Sequence, residues 1–342
     1  MKVGLTYDLR TDWLLTDQDP RDASAEFDKP KTIEEISEAL RSGGHEVVRI
    51  GNVRKLLETI DDLDVDIVFN ICEGLSGRNR ESQVPVILEM KGIPYVGADG
   101  LTLGITLDKA VTKKCFMADG LPTPRFFQAD SSEGLREKNT IGFPLIVKTS
   151  FEGTSKGISE DSRVEDYAGL KRQIDLVTKV YAQPALVEEF ISGTEFTVPV
   201  LGNGKARAMP VIQVSMDGST DLGDKFYTFE RVSADSLRYV CPADIPDNLI
   251  QRLQDLAVKA YHSVGCRDMG RVDFRVDKKG DPFILEINPL PCLSKEDVFN
   301  YFPQVLGTTY DRMINRILEH ALDRYGMSLT EQKTAGLQAG RA

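Results

Sequence analysis

Near the C-terminal end, the run Gly270-Arg271-Val272-Asp273-Phe274-Arg275-Val276 leads through the turn Asp277-Lys278-Lys279-Gly280 into Pro282-Phe283-Ile284-Leu285-Glu286-Ile287-Asn288-Pro289. Side chains alternate faces along a strand, so Arg271 and Asp273 share one face, as do Glu286 and Asn288. A symmetric turn centred between Lys279 and Gly280 predicts Asp273 opposite Glu286 and Arg271 opposite Asn288. Two carboxylates and an amide oxygen then form a hard-oxygen set. It suits Mg²⁺, which takes few protein oxygens and completes its shell with phosphates and water. The same alternation also fits the solvated face of an edge hairpin, but these four positions hold no Lys, Thr or Ser.

A second group lies upstream. Leu145-Ile146-Val147-Lys148-Thr149-Ser150 delivers a lysine into Phe151-Glu152-Gly153-Thr154-Ser155-Lys156-Gly157. Backbone N–H groups in a small, glycine-containing loop can wrap phosphate oxygens. Neither the GxxxxGK[ST] nor the GxGxxG spacing is present, and many such loops only connect two strands. A third group, Leu186-Val187-Glu188-Glu189-Phe190-Ile191-Ser192-Gly193-Thr194-Glu195, ends an apolar strand in acids, an aromatic and a glycine turn. It could hold a purine, with Glu195 on ribose hydroxyls, or serve as an ordinary strand–turn–strand.

The elements that must carry these groups are legible from periodicity. Strands at Lys2–Tyr7, Glu46–Ile50, Asp66–Ile71 and Ile93–Val96 alternate with helices at Thr32–Ser42 and Val84–Lys91, which predicts a doubly wound parallel sheet with ligands at the carboxyl ends of its strands. Residues 8–30 are polar and irregular, readable either as a substrate loop or as a disordered insertion. A second unit opens with a helix at Asp108–Ala118, then strands at Arg125–Gln128 and Pro144–Thr149 and a helix at Val164–Val177. A third begins near Leu186, continues through strands at Phe196–Leu201 and Ala208–Val214, a polar stretch 215–236, a helix at Leu249–Val264 and the hairpin, and ends in a helix at Tyr310–Tyr325. The expected division is 1–106, 107–185 and 186–326, with a polar tail at 327–342.

Composition bounds the partners. The chain has 342 residues, is 41% hydrophobic and carries a net charge of −11. No basic stripe offsets phosphate repulsion, so nucleic acid is not an expected partner. No secretory segment is evident, and no apolar run approaches the roughly 18 residues of a membrane span. The five cysteines are scattered with no CxxC pair, which excludes a zinc knuckle or disulfide framework. A cytoplasmic protein is expected. His45, His262 and His320 sit in helical or pre-strand contexts and read as structural.

In this order the motifs resemble the ATP-grasp superfamily, most closely D-alanine–D-alanine ligases. The resemblance covers residues 84–320 and includes Leu88 to Gly97, Leu107-Asp108-Lys109, Lys148 with its loop, Glu188 to Thr197, Cys241-Pro242-Ala243, Gly270 to Asp273 and Leu285 to Asn288. It implies an α/β chain, α+β in the C-terminal half, with an ATP-grasp fold behind the N-terminal sheet. Lys109 and Lys148 would hold ATP phosphates, Glu188 the adenine amino group and Glu195 the ribose. Glu189, Phe190, Ile191, Phe274 and Leu285 would complete the nucleotide site. Asp273, Glu286 and Asn288 would bind two Mg²⁺, with Mn²⁺ a substitute. Arg271 would stabilise the oxyanion, Lys225 would approach the γ-phosphate from a lid spanning Ser215 to Ser236, and Thr154 and Ser155 would cover the transferred phosphate. The implied reaction joins a carboxylate to an amine through an acyl phosphate, in a homodimer.

The departures fall on substrate positions. Tyr7-Asp8-Leu9-Arg10-Thr11-Asp12-Trp13 lacks the family's first-loop glutamate, Asn70-Ile71-Cys72-Glu73-Gly74 replaces its histidine-glycine pair, Phe226 stands where the family has a tyrosine, and Leu290-Pro291-Cys292-Leu293-Ser294-Lys295-Glu296-Asp297 replaces a Pro-Gly-Met-Thr-Ser-like run. A rebuilt acceptor pocket is expected, drawing on Glu73, Arg78, Arg80, Cys292 and Asp297. Arg78 and Arg80, with Glu81, could clamp a substrate carboxylate or form a solvated turn. Cys292 reads as a backbone contributor. True D-alanine–D-alanine ligase activity and a nucleotide-binding scaffold without turnover are the alternatives.

Overall fold

The computed structural model describes residues 1–12, 16, 19–232 and 237–327. The segment begins with β1 (Lys2–Tyr7), α1 (Pro30–Ser42), β2 (Glu46–Gly51), α2 (Val53–Thr59), β3 (Ile67–Ile71), α3 (Gln83–Lys91), β4 (Tyr95–Val96) and α4 (Gly100–Leu107). The strands form one sheet in the order β2-β1-β3-β4, every pair parallel. Val3, Leu5, Ile67 and Phe69 pack with α1, while Val68 points to the opposite face, against Leu56 of α2 and Val84 and Leu88 of α3. This period-2 division between two helical layers makes the sheet doubly wound. Side-chain caps fix some boundaries: Asn52 accepts from the Arg54 and Lys55 amides, and Asp99 from Thr102.

The chain continues through α5 (Lys109–Ala118), β5 (Phe126–Ala129), α6 (Leu135–Lys138), β6 (Leu145–Thr149), β7 (Arg163–Val164), α7 (Tyr167–Val180) and β8 (Ala185–Glu189). The second sheet has the antiparallel order β5-β8-β6-β7. The strand expected to open the third unit, Leu186–Glu189, is therefore hydrogen-bonded between β5 and β6 in the second. Val147 and Val187 face Leu170, Ile174 and Val177 of α7. Lys148 and Glu188, one residue on, face the other way, toward a cleft.

The third sheet follows with β9 (Gly193–Leu201), β10 (Arg207–Ala208), β11 (Ile212–Met216), α8 (Phe229–Val232), β12 (Leu237–Val240), α9 (Asp247–Ser263), β13 (Met269–Asp277) and β14 (Pro282–Asn288). Its order is β12-β11-β9-β13-β14, with β10 paired to β9. Val198, Val200, Val272, Phe274 and Ile284 pack on Leu253, Ala257, Ala260 and Tyr261 of α9. The chain then returns through α10 (Tyr301–Val305) to α11 (Tyr310–Arg324), whose Met313, Ile314, Ile317, Leu318 and Ala321 close the core over the first sheet. The tail at 328–342 and the lid positions 233–236 lie outside the described residues, as does Trp13.

Candidate active site

The polar faces of the second and third sheets look at each other across one cleft. Lys148 and Glu188 line it from one side, and Glu195, Arg271, Asp273, Glu286 and Asn288 from the other. Lys109, on the first turn of α5, reaches across: its Nζ is 3.5 Å from a Glu286 oxygen and donates to the Glu152 carbonyl. Asp108 holds that turn by accepting from the Ala110 and Val111 amides.

Glu188 is 1% exposed and has a lysine on each oxygen, Lys113 at 2.5 Å and Lys148 at 2.7 Å. Burial pushes its carboxyl up, but the two lysines outweigh that and hold it down at about 2. Lys113 goes down despite Glu188, because it is wholly enclosed. The three groups are a closed ion triad in which Glu188 is the counter-charge that fixes both lysines. Lys113 was absent from the expected site. It is four residues after Lys109 on the same helix face, and that i,i+4 spacing was the available signal.

The hairpin register agrees with expectation at the site: Asp273 pairs with Glu286 and Arg271 with Asn288. Nearer the turn it does not, since Phe274 pairs with Ile284 and Val276 with Pro282. The turn is centred one half-step earlier than a symmetric Lys279/Gly280 turn requires. A bulge at Leu285 restores the register and turns Leu285 and Glu286 both toward the cleft. Asp273 accepts from the Arg271 guanidinium at 2.9 Å, the Asn288 amide at 3.1 Å and the Thr197 hydroxyl at 2.5 Å. The Asn288 amide nitrogen is thus engaged, which leaves its oxygen as the atom that could ligate a cation. Burial opposes ionisation of Glu286, but Lys109, Lys148 and Arg271 keep its carboxyl below the usual range. Two carboxylates with one amide oxygen fit a divalent cation that carries phosphates and water.

A family model described as the D-ala D-ala ligase C-terminus matches residues 116–319. The chain is 34% identical over 308 residues to the D-alanine–D-alanine ligase of Pelotomaculum thermopropionicum, covering 87% of this chain and 93% of that one. The chain belongs to the D-alanine–D-alanine ligase family. It is also 34% identical over 295 residues to the uncharacterized protein y4sG of Sinorhizobium fredii, covering 84% and 86% of the two chains. The D-alanine–D-alanine ligase of Bacillus anthracis, solved complexed with ATP, superposes with a TM-score of 0.72 at 23% identity over 94% of this chain and 98% of that one. The VanG D-Ala:D-Ser ligase of Enterococcus faecalis does so at 0.71 and 19%, over 94% and 99%. These likenesses establish the ATP-grasp fold, and family membership makes the chain an ATP-dependent ligase of the C–N bond-forming class.

Within this D-alanine–D-alanine ligase family member, several expected residues are placed elsewhere. Phe274 is fully buried against α9, because it has the opposite strand parity to Arg271 and Asp273. Lys225 points outward and pairs with Asp217 at 2.7 Å, away from the cleft, although Phe226 and Tyr227 of the same segment line it. Arg78 is spent on Asp108 at 2.5 Å and lies over the Phe151 ring. Arg80 is buried and donates to Glu26 at 3.0 Å and to the Phe151 carbonyl at 2.7 Å. Arg80 is thus committed within the protein, Arg78 is paired but largely exposed, and neither is among the residues lining the cleft. The Glu189 carboxylate is held by Arg125 at 2.8 Å, so its place at the cleft comes from its position in the strand. Phe190, Ile191, Leu285, Glu73, Cys292 and Asp297 line the cleft, with Asp297 3.9 Å from Arg271.

The first loop brings residues that sequence reasoning missed. Glu26 accepts from the Gly153 amide and Asp22 from the Gly157 amide at 2.8 Å, with the Tyr181 hydroxyl on Asp22 at 3.0 Å. This described part of segment 8–30 is docked on the glycine loop, not loose. Thr154 and Ser155 line the cleft there with left-handed backbones, φ 48° and 56°. Non-glycine residues rarely hold that conformation, and it concentrates at ligand clamps. The aperiodic sequence of the first loop gave no signal for Glu26.

Proposed function

We propose that this chain forms an amide between a carboxylate and an amine, using ATP bound between its second and third sheets. A carboxylate oxygen attacks the γ-phosphorus and ADP leaves, giving an acyl phosphate. The amine nitrogen then attacks the acyl carbon, the C–N bond forms, and inorganic phosphate departs. Lys109 and Lys148 neutralise phosphate oxygens, and Glu188, itself anchored by Lys113, holds Lys148 in place. Glu195 receives ribose hydroxyls, and Phe190, Ile191 and Leu285 flank the base. Arg271 faces the reacting carboxyl and stabilises the oxyanion. Asp273, Glu286 and Asn288 would hold Mg²⁺, which neutralises and orients the phosphates when bound. Thr154 and Ser155 close over the transferred group and exclude water.

The observation that carries this reading is the convergence of Lys109, Lys148, Arg271, Asp273 and Glu286 on one cleft. Arg271 also argues against a silent nucleotide scaffold, since binding alone needs no cation at the acyl carbon. We further propose an acceptor pocket rebuilt away from D-alanine, a reading supported by Glu26, Glu73, Leu290, Pro291, Cys292 and Asp297 in the lining of the cleft. ADP and phosphate release with ATP, Mg²⁺ and a panel of carboxylates and amines tests both. Turnover on D-alanine alone, at a rate no other substrate exceeds, would return the chain to the family's parent reaction. ATP binding with no turnover on any pair would favour the scaffold.

A further inference from the structure

At the first-sheet end of the cleft four carboxylates meet three cations, Arg80, Lys156 and Lys109, the last donating to the Glu152 carbonyl. Glu26, Glu73, Glu81 and Glu152 all line this end. Arg80 pairs with Glu26 at 3.0 Å and Glu152 at 3.4 Å, and Lys156 with Glu152 at 2.6 Å and Glu26 at 3.4 Å. The direct ion pairs of Arg80 and Lys156 go to Glu26 and Glu152. Among the described residues no side-chain donor bonds to the carboxylate of Glu73 or Glu81, although Glu81 is only 9% exposed.

The fold builds this pairing. Glu73 follows β3 at its carboxyl end, where a doubly wound sheet receives ligands. Gly74 turns the chain with φ +80°, and a Cβ there would stand 2.4 Å from the Arg80 carbonyl oxygen. The close approach brings the segments of Glu73 and Glu81 together, and Asp8 locks it by accepting from the Gly74 amide at 2.8 Å. Burial pushes both carboxyls up, Glu81 to about 7, and the Glu81 charge raises Glu73 further. Arg80 opposes the shift of both carboxyls and Lys109 that of Glu81, but neither cation gives them a hydrogen bond, and the buried Glu81 faces the cleft beside the half-buried Glu73 without a direct donor among the described residues.

We infer that Glu73 and Glu81 form a subsite for a substrate carrying two ammonium groups, a diamino acid or diamine and not a simple zwitterion. This rests on the ligase reading above and names its substrate class. A reacting amine must lose its proton before it attacks, so it cannot be the lasting counter-charge. An α-ammonium group would answer one of the two unpaired acids, and a second ammonium answers the other.

The test compares ornithine with norvaline, which has the same carbon skeleton without the terminal ammonium. Both enantiomers of each are titrated calorimetrically into the full chain with a non-hydrolysable ATP analogue and Mg²⁺. Ornithine of one hand is expected to bind at least tenfold tighter than norvaline. Glu73→Gln and Glu81→Gln should each cut that preference, and the double substitution should erase it. Binding of the analogue by the same preparations reports that they are folded. Equal binding of the two ligands, binding of neither, or a preference that survives the double substitution overturns the subsite. Failure of the unsubstituted chain to bind the analogue overturns the ligase reading instead, and the ornithine–norvaline comparison still decides the subsite.

Discussion

Replacing Glu188 by Gln keeps the shape of the side chain and removes the charge shared by Lys113 and Lys148. The carboxyl is held at about 2 against an ordinary value of 4.5, and it is 1% exposed. At about 1.4 kcal/mol per pKa unit, the ionised form contributes roughly 3 kcal/mol to folding at pH 7. That agrees with the ~3–5 kcal/mol expected when one partner of a buried ion pair is removed. The sign follows from a depressed acid. Its contribution is complete above the unfolded-state value and fades as pH falls toward about 2. The deficit of Glu188→Gln should therefore be about 3 kcal/mol at pH 7 and shrink to about 2 kcal/mol near pH 3.5. Urea titrations followed by far-ultraviolet circular dichroism, with both proteins at each pH, read this difference. Unfolding at the same urea concentration as the unsubstituted chain at pH 7, or a deficit that does not shrink with acid, would refute the triad. Loss of the counter-charge also lowers the pKa of Lys148, so ATP affinity should fall together with stability.

Three further outcomes are expected. Arg271→Met should lower kcat by roughly 10²–10³ with little change in the KM for ATP, because its guanidinium acts on charge that develops in the reaction; steady-state ADP release separates the two constants. Burial, opposed by Arg275 and reinforced by Asp273, raises the Glu195 carboxyl to about 7; ATP affinity should fall about fivefold from pH 7 to 6 as the acceptor is protonated, and Glu195→Gln should flatten that dependence in calorimetry. Gly74→Ala combines a left-handed backbone with a 2.4 Å contact to the Arg80 carbonyl; a stability loss of about 1–3 kcal/mol in urea is expected, accompanied by weaker substrate binding.

The parts of this site that rest on strand periodicity were legible in the sequence. Two-residue alternation alone puts Arg271, Asp273, Glu286 and Asn288 together, and it also assigns Phe274 to the helix-packed side, so its proposed place beside the nucleotide was in conflict with the rule. The Leu285 bulge was not legible. It depends on how the Asp277–Asp281 turn closes, with the Asp277 carboxylate accepting from the Lys279 and Asp281 amides. Contacts between distant, aperiodic segments were equally hidden. Arg78 and Arg80 looked like free cations because Asp108, Glu26 and Glu152, which consume them, lie 30, 54 and 72 residues away. The expected strand Leu186–Glu189 was placed in the third unit, whereas it pairs with β5 and β6 of the second sheet, for the same reason: an apolar run does not specify its neighbours.

The parity of the strands also explains why the cleft exists. In β6 and β8 the residues facing α7 are aliphatic, and in β9 and β13 those facing α9 are aliphatic or aromatic. Each sheet thus satisfies its apolar requirement on its outer side. The inner faces carry Lys148, Glu188, Glu195, Arg271, Asp273 and Glu286, a layer that could not pack as a dry core without large desolvation losses. These groups instead pair among themselves, Lys148 with Glu188, Arg271 with Asp273 and Lys109 with Glu286. Under the proposed reading, the pairs would be redistributed by phosphate and metal charges, because each cation and carboxylate would then gain a partner of opposite sign. A sheet-to-sheet interface built this way is incomplete as packing and complete only with an ionic ligand between its faces.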